Sequence, residues 1–514
     1  MSRVTALMVS VALALATVAI AGCGGSSNSS STTSATPKAG GTLSVSQGEE
    51  VITLDPLKAL DTSSINVLSQ INETLFKVNA QDENEPWLAE SAKESDGGRV
   101  WTLQLRKGAE FSNGKPMTSA DVLFTLEAAK KSALWTAVLE GIKSIAAPSP
   151  STIVITNFKP APELPALLSQ YSFGIVPRDF GGVTEKEFAQ HPIGTGPFML
   201  SSWRHGESIT LVKNPHYWEK GKPYLDKLTF QAVPSPESRV AQLKGGQLDL
   251  IYQPPWSQVE AIASTPGLTV PHLPLGFVES IVLNSRIPLF RNMKAREAFN
   301  LAIDREGIVS AVLVGRGEPA GGWLPAVVPF SDQSIKAPSR DVEKAKQLLA
   351  EAVKAGVNPS FVLSTYAEDS FWSDAAQIVQ QNLEEVGFHV QLRPSDISSV
   401  LENMAAGKFD AVTDYGYWAT PSPVENVAFY NVSEGIYTGA PTDKTTELTE
   451  AAMSEPNEQK RADYWHQIQQ IVAAEKRFLP VAYMPYLWAL HSDISGFVVN
   501  ATGLPWFADA GFSE

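Results

Sequence analysis

The sequence predicts an α/β protein large enough for more than one core. The first observation behind this is an alternation of helix and strand in the second half of the chain. Val342, Ala345, Leu348, Leu349 and Ala352 stripe one helical face, which stops at Gly356, and Phe361-Val362-Leu363 follows as a strand. Ala376, Val379, Leu383 and Val386 then stripe a helix ended by Gly387, and Phe388, Val390 and Leu392 alternate as the next strand. Strand–helix–strand units of this size favour parallel pairing. The second observation is length, because 514 residues exceed what a single core serves. The third is an apolar content of 43 %, ordinary for a folded globular chain.

Taken from the start, Arg3 is followed by a charge-free run from Val4 to Ile20, and small residues lead into Cys23. This is the pattern of an export signal, over residues 1–22. Cys23 is the only cysteine, so it makes no intramolecular disulfide. Following Ile20-Ala21-Gly22, it resembles the lipobox cysteine of bacterial lipoproteins, which carries a thioether-linked diacylglycerol and, with it, palmitate. Two alternatives remain: an uncleaved span, at about 17 residues the low end of what crosses a bilayer, and a reactive thiol. The lipid reading places the protein outside the cytoplasmic membrane, in a periplasmic or equivalent space and anchored to the cell membrane. Residues 23–40 are rich in Gly, Ser and Thr and read as a flexible tether.

Thr42-Leu43-Ser44-Val45 alternates as the first strand, and Ile65, Leu68, Ile71 and Leu75 predict a helix over 65–76. Arg99 to Arg106 is a period-2 strand that buries Trp101, Leu103 and Leu105. Asn113-Gly114 signals a turn, Thr118 or Ser119 caps a helix with Asp121 in its first turn, and Val122, Leu126 and Ala129 form its buried stripe. Ile153 to Ile155, Ile209 to Val212 and Leu225 to Val233 are further strands, and Ala295, Ala298, Phe299 and Ala302 share a helical face.

Charge excludes one class of partner. Lys and Arg total 40 against 55 acids; loss of residues 1–22 removes only Arg3, leaving 39 − 55 = −16. Such a protein repels phosphate backbones, so nucleic acid is not expected as a partner. Enzyme chemistry is poorly supplied. There is no His-Glu-x-x-His, no Gly-x-Ser-x-Gly and no cysteine pair, and the seven histidines are scattered. Ser112-Asn113-Gly114-Lys115 matches Ser-x-x-Lys, but Asn-Gly before Lys-Pro makes a turn rather than the helix that chemistry needs. Gly194-Thr195-Gly196-Pro197 is no phosphate loop, since Pro197 lacks an amide hydrogen and no lysine follows. Neither a catalytic group, a resident metal nor a cofactor is expected.

What remains is a binding protein, and a set of ordered motifs carries a resemblance. They are Pro86-Trp87-Leu88-Ala89-Glu90-Ser91, Trp101-Thr102-Leu103 through Arg106-Lys107-Gly108 to Phe111-Ser112-Asn113-Gly114-Lys115-Pro116-Met117-Thr118, and Ala120-Asp121-Val122. Gly194 to Phe198, Asn214-Pro215-His216-Tyr217-Trp218, Pro223-Tyr224-Leu225-Asp226, Leu243 to Asp249, and Arg296-Glu297-Ala298 with Ala302-Ile303-Asp304-Arg305 complete it. From about Gly41 onward the chain resembles the family 5 solute-binding proteins of ABC importers, the dipeptide, oligopeptide and nickel type. The resemblance implies a two-lobed periplasmic-binding-protein-like fold (type II, cluster C). One lobe would comprise 41–78, 176–283 and 481–514, with an inserted subdomain at 79–175; the other would be 284–480. It also implies a monomer that hands a small solute to permease subunits and their ATPases, touching the membrane through its lipid anchor alone.

In peptide-binding relatives a glycine-tryptophan segment followed by acids lies at the cleft, where an aspartate holds the peptide ammonium. The matching stretch here is Asp410 to Pro423, which makes Asp414, Tyr415, Gly416, Tyr417 and Trp418 the ligand-binding candidates. Its aromatics match, but Ala419, Thr420 and Ser422 replace the downstream acids. Burying an ammonium without a counter-charge is costly, so Asp414 or a residue elsewhere supplies it, or the solute is not an ordinary free peptide. The aromatics can equally be core. Trp323, Trp256 and Tyr366, expected on loops, are second-rank candidates. Non-peptide solutes (an oligosaccharide, a glycoside or a metal chelate) and, from another class, a surface hydrolase or adhesin are the alternatives.

Overall fold

The computed structural model describes residues 37–132, 134–367, 370–417, 422–424 and 443–513. Two mixed sheets dominate. The seven-stranded sheet runs in the order Leu268–Thr269, Trp488–His491, Leu250–Tyr252, Thr42–Gln47, Lys227–Ala232, Ser208–Lys213, Phe198–Arg204. Its centre is Thr42–Gln47, parallel to both neighbours, with Leu43 and Val45 fully buried against Leu228, Phe230 and Leu250. The six-stranded sheet runs Glu318–Pro319, Phe478–Met484, Phe277–Leu283, Ala411–Tyr417, Ser360–Tyr366, His389–Ser395. The helices read from apolar periodicity supply its core: Ala298, Phe299, Ala345, Leu349, Ala376 and Leu383 all lie inside it.

A third sheet of four antiparallel strands, Ala89–Ser95, Val100–Leu105, Thr152–Asn157 and Ile142–Ser149, has its own core. Trp101, Leu103 and Leu105 face it, joined by Val122, Leu126 and Ala129 of the helix Ser119–Lys131. Thr118 caps that helix, and the Asp121 carboxylate accepts from the Thr118 backbone N–H at 2.7 Å.

The helix predicted over 65–76 is shorter than expected. It spans Thr62–Ile71, and Leu75 and Phe76 belong to an extended segment. The cause is competition for the helix end: the Gly196 N–H donates to Ile71 O at 2.8 Å. Gly194 and Gly196 are pressed so close to Ile71 that a Cβ on Gly194 would sit 1.9 Å from its carbonyl oxygen. The glycine-rich loop is therefore a packing device. It is locked in turn by Asn214, whose Nδ2 donates to Gly196 O at 2.8 Å. Three and four residues on, Tyr217 and Trp218 donate to the buried Glu73 carboxylate at 3.2 and 3.1 Å, and burial pushes that carboxyl up to about 7.

Chain crossings between the two large sheets occur at 270–276 and 485–487. They lie side by side, with the Phe277 and Tyr486 rings 5.3 Å apart. Gly276 passes so close to Ala501 that a Cβ would fall 1.9 Å from its oxygen.

Candidate functional site

Topology fixes where a ligand can sit. Ser360–Tyr366 runs parallel to both His389–Ser395 and Ala411–Tyr417, so Tyr366, Ser395 and Tyr417 end on one edge of the six-stranded sheet. The antiparallel strand Phe277–Leu283 begins at that edge, where Phe277 pairs with Tyr417 and with Met484. Both crossings to the other sheet leave from Phe277 and Met484. The carboxyl edge of the parallel strands therefore faces the seven-stranded sheet, the position at which open α/β sheets bind ligands.

A chain of rings lines this edge. Trp256, in the turn Trp256–Gln258 that follows a strand of the seven-stranded sheet, lies 6.0 Å from Phe371. Phe371 meets Trp372 at 4.7 Å, and Trp372 meets Tyr366 at 5.6 Å and Phe277 at 6.4 Å. The Tyr366 hydroxyl donates to Asp414 Oδ1 at 3.1 Å, and both residues are buried. On the other face of the same strands Thr413 Oγ1 donates to Thr365 Oγ1 at 2.9 Å.

The structure thus brings together three residues singled out in the sequence, Trp256, Tyr366 and Asp414. Tyr366 differs from expectation in one respect: it is the last residue of a strand rather than part of a loop. Trp323 is buried in the core of the six-stranded sheet beside Gly322, which exchanges hydrogen bonds with the Tyr483 hydroxyl at 3.0 and 2.6 Å. Tyr415, Gly416 and Tyr417 are placed by backbone register opposite Glu279, Val278 and Phe277. Trp418 and Cys23 lie outside the described residues.

Sequence reasoning missed two acidic groups. Glu279 sits in the strand Phe277–Leu283, is 1 % exposed, and has Oε2 without a hydrogen-bond partner. Burial pushes its carboxyl up to about 8. The signal was present: Glu279, with Ser280, interrupts an apolar strand, Phe277-Val278 before them and Ile281-Val282-Leu283 after. Glu163 had no such signal. It lies in the proline-broken segment after the four-stranded sheet and reaches the helix Glu458–Glu475, where Arg461 Nε is 3.2 Å from Oε1 and the Trp465 indole N–H donates to the same oxygen at 3.3 Å. The Ser422 hydroxyl donates to Oε2. Burial raises the Glu163 carboxyl, against the pull of Ser422 and Arg461. Nearby, Lys159 and Glu450 form an exposed ion pair at 3.0 Å, worth little by itself.

The arrangement can enclose and desolvate a ligand between two walls. Among the described residues no three His, Cys, Asp or Glu gather as a metal-binding group, and no helix is long and apolar enough to cross a membrane.

Comparison with known proteins agrees with this architecture. Residues 83–438 match the family described as bacterial extracellular solute-binding proteins, family 5. The oligopeptide-binding protein AppA of Bacillus subtilis is 30 % identical, over 90 % of this chain and 89 % of AppA. Its structure, solved with a nonapeptide, superimposes with a TM-score of 0.79 at 25 % identity over 93 % of this chain and all of that one. The glutathione-binding protein GsiB of Shigella dysenteriae is 28 % identical over 91 % of this chain and 93 % of its own. DppA of Helicobacter pylori, in complex with the peptide STSA, shares the two-lobed fold at a TM-score of 0.82, covering 93 % of this chain and 99 % of that one at 24 % identity. The chain belongs to the family 5 extracellular solute-binding proteins of ABC importers.

Proposed function

We propose that this protein captures a peptide or peptide-like solute between its lobes and delivers it to a membrane permease, held at the membrane by a lipid on Cys23. The observation that carries the reading is the ring-lined carboxyl edge between the two sheets, running from Trp256 to Asp414. Flat aromatic faces accept varied side chains, and buried polar groups at one end orient a ligand. Relatives named for oligopeptides and glutathione support a peptide-like solute. The lobes are taken as 41–78 with 176–283 and 481–514, carrying 79–175 as an inserted subdomain, and 284–480; the working unit is a monomer. Aromatic edges also stack on sugars, which favours an oligosaccharide or glycoside as the second reading.

A thermal-shift screen of the purified protein against di- to octapeptides, glutathione and oligosaccharides tests this. Ligand that binds only the folded form raises the melting temperature, by about 2.7 kcal/mol of stability at a hundredfold excess over Kd. Stabilisation by peptides is expected. Stabilisation by sugars with none by any peptide would transfer the function to the second reading.

A further inference from the structure

We propose that Glu279 is the anionic subsite of this cleft, the group that receives the cationic amine of the bound solute. The inference rests on the peptide-capture reading and adds the residue that meets the charge.

Three features of Glu279 point the same way. Its carboxyl is almost completely buried, yet among the described residues neither a hydrogen-bond donor to Oε2 nor a cation reaches it. Buried acids are paired in stable proteins, so an orphan one marks a place for an absent partner. Its position is the second feature. Glu279 lies two residues in from Phe277, at the start of the crossing strand, and residues i and i+2 share a face. Its face is therefore the one on which the Phe277 ring meets Trp372 and Tyr486. The third is a break in the ladder: pairing with Phe478–Met484 slips between Glu279 and Ser280. The extra residue is Val481 of the partner strand, opposite Glu279 and Ser280, and bulges are frequent beside active sites.

The neighbouring charges do not already serve this role. On the flanking strands Glu279 stands level with Tyr415 and Ala482. Asp414, paired with Ser280, lies on the opposite face and accepts from the Tyr366 hydroxyl. The acids expected after Trp418 are replaced in sequence by Ala419, Thr420 and Ser422. In the empty site the Glu279 carboxyl is neutral near pH 7. Arrival of an ammonium favours the carboxylate, so Glu279 gives up its proton to solvent as the ligand binds, and charge balances within the closed cleft.

The test is isothermal titration with the tightest-binding peptide of the screen and its N-acetyl form, using the wild-type protein and Glu279→Gln. Removing either the ammonium or the carboxylate should weaken binding by about tenfold or more. The two losses should not add, so Glu279→Gln binds free and acetylated peptide alike. Repeating the wild-type titration at pH 7 in buffers of different ionisation enthalpy should show net proton release on binding free peptide, as a carboxyl raised by burial requires. That measurement needs no variant and stands if Glu279→Gln fails to fold. Equal preference for the free peptide in wild type and Glu279→Gln, or no proton release, overturns the inference and leaves peptide capture standing. Absence of binding by every peptide in the panel overturns both.

Discussion

Replacing Glu163 with alanine should loosen the closed form of the protein. Its carboxylate joins the segment after the four-stranded sheet to Arg461, Trp465 and Ser422, and both ionic side chains are about nine-tenths buried. Removing one member of a buried pair costs about 3–5 kcal/mol, chiefly because the remaining charge is stranded. Arg461 keeps a bond to Glu455 O at 2.8 Å, which puts the loss at the lower end, about 3 kcal/mol. On the proposed division Glu163, within 79–175, and Arg461, within 284–480, belong to opposite lobes, so their contact would hold only with the lobes together. Their loss therefore shifts the open–closed balance, and apparent ligand affinity falls by up to ~150-fold. Small-angle X-ray scattering of the ligand-free variant should show a larger radius of gyration, and titration calorimetry should show the weaker binding. Glu163→Gln, which preserves the shape, should fall between. If Glu163→Ala lowers only the melting temperature, with scattering and affinity unchanged, the cluster is packing and the clasp argument fails.

Stability of the empty protein should decline as pH rises. The folded Glu279 carboxyl titrates near 8 against an ordinary 4.5. Between those values the native state holds a proton that the unfolded chain has shed, so the full advantage below pH 4.5 is lost by pH 8. The loss is about 5 kcal/mol at most, and urea melts of Glu279→Gln should be flatter across that window. Gly194→Ala should destabilise by about 3 kcal/mol, because its Cβ meets the Ile71 backbone at 1.9 Å. Gly141→Ala, with open space around it, should be neutral in the same melts. Trp372→Ala should weaken peptide binding by about tenfold by removing a ring from the edge, whereas an unchanged Kd would take Trp372 out of the site. Cys23→Ala should abolish palmitate labelling; retained label would remove the lipid anchor.

Regular elements were legible where apolar periodicity was uncontested. The helices Val342–Lys354 and Ser370–Val386, and the parallel strands between and after them, follow from their stripes because each buries one face on one sheet. The helix from Thr62 ended early for a reason that no local window contains: a loop more than a hundred residues later takes the Ile71 carbonyl. Candidate ligand residues split along the same line. Asp414 was singled out by its match to the cleft segment of peptide-binding relatives, and Tyr366 and Trp256 as aromatics expected on loops. Glu279 was legible as an acid inside an apolar strand, yet its orphaned state is a property of three paired strands. Glu163 was invisible, since its meaning comes from a helix about 300 residues away.

The exposed pair Lys159 and Glu450 has a practical consequence. It contributes little energy, but its side chains are 65 % and 64 % exposed on opposite sides of the contact that the Glu163 cluster makes. Cys23 is the sole thiol of the sequence, so protein starting at residue 37 is a thiol-free background. Cysteines at 159 and 450 would carry a donor and an acceptor dye without competing labels, at positions whose change disturbs neither the ring-lined edge nor the buried acids. Their energy transfer would then report, one molecule at a time, how long the cleft stays shut around each solute.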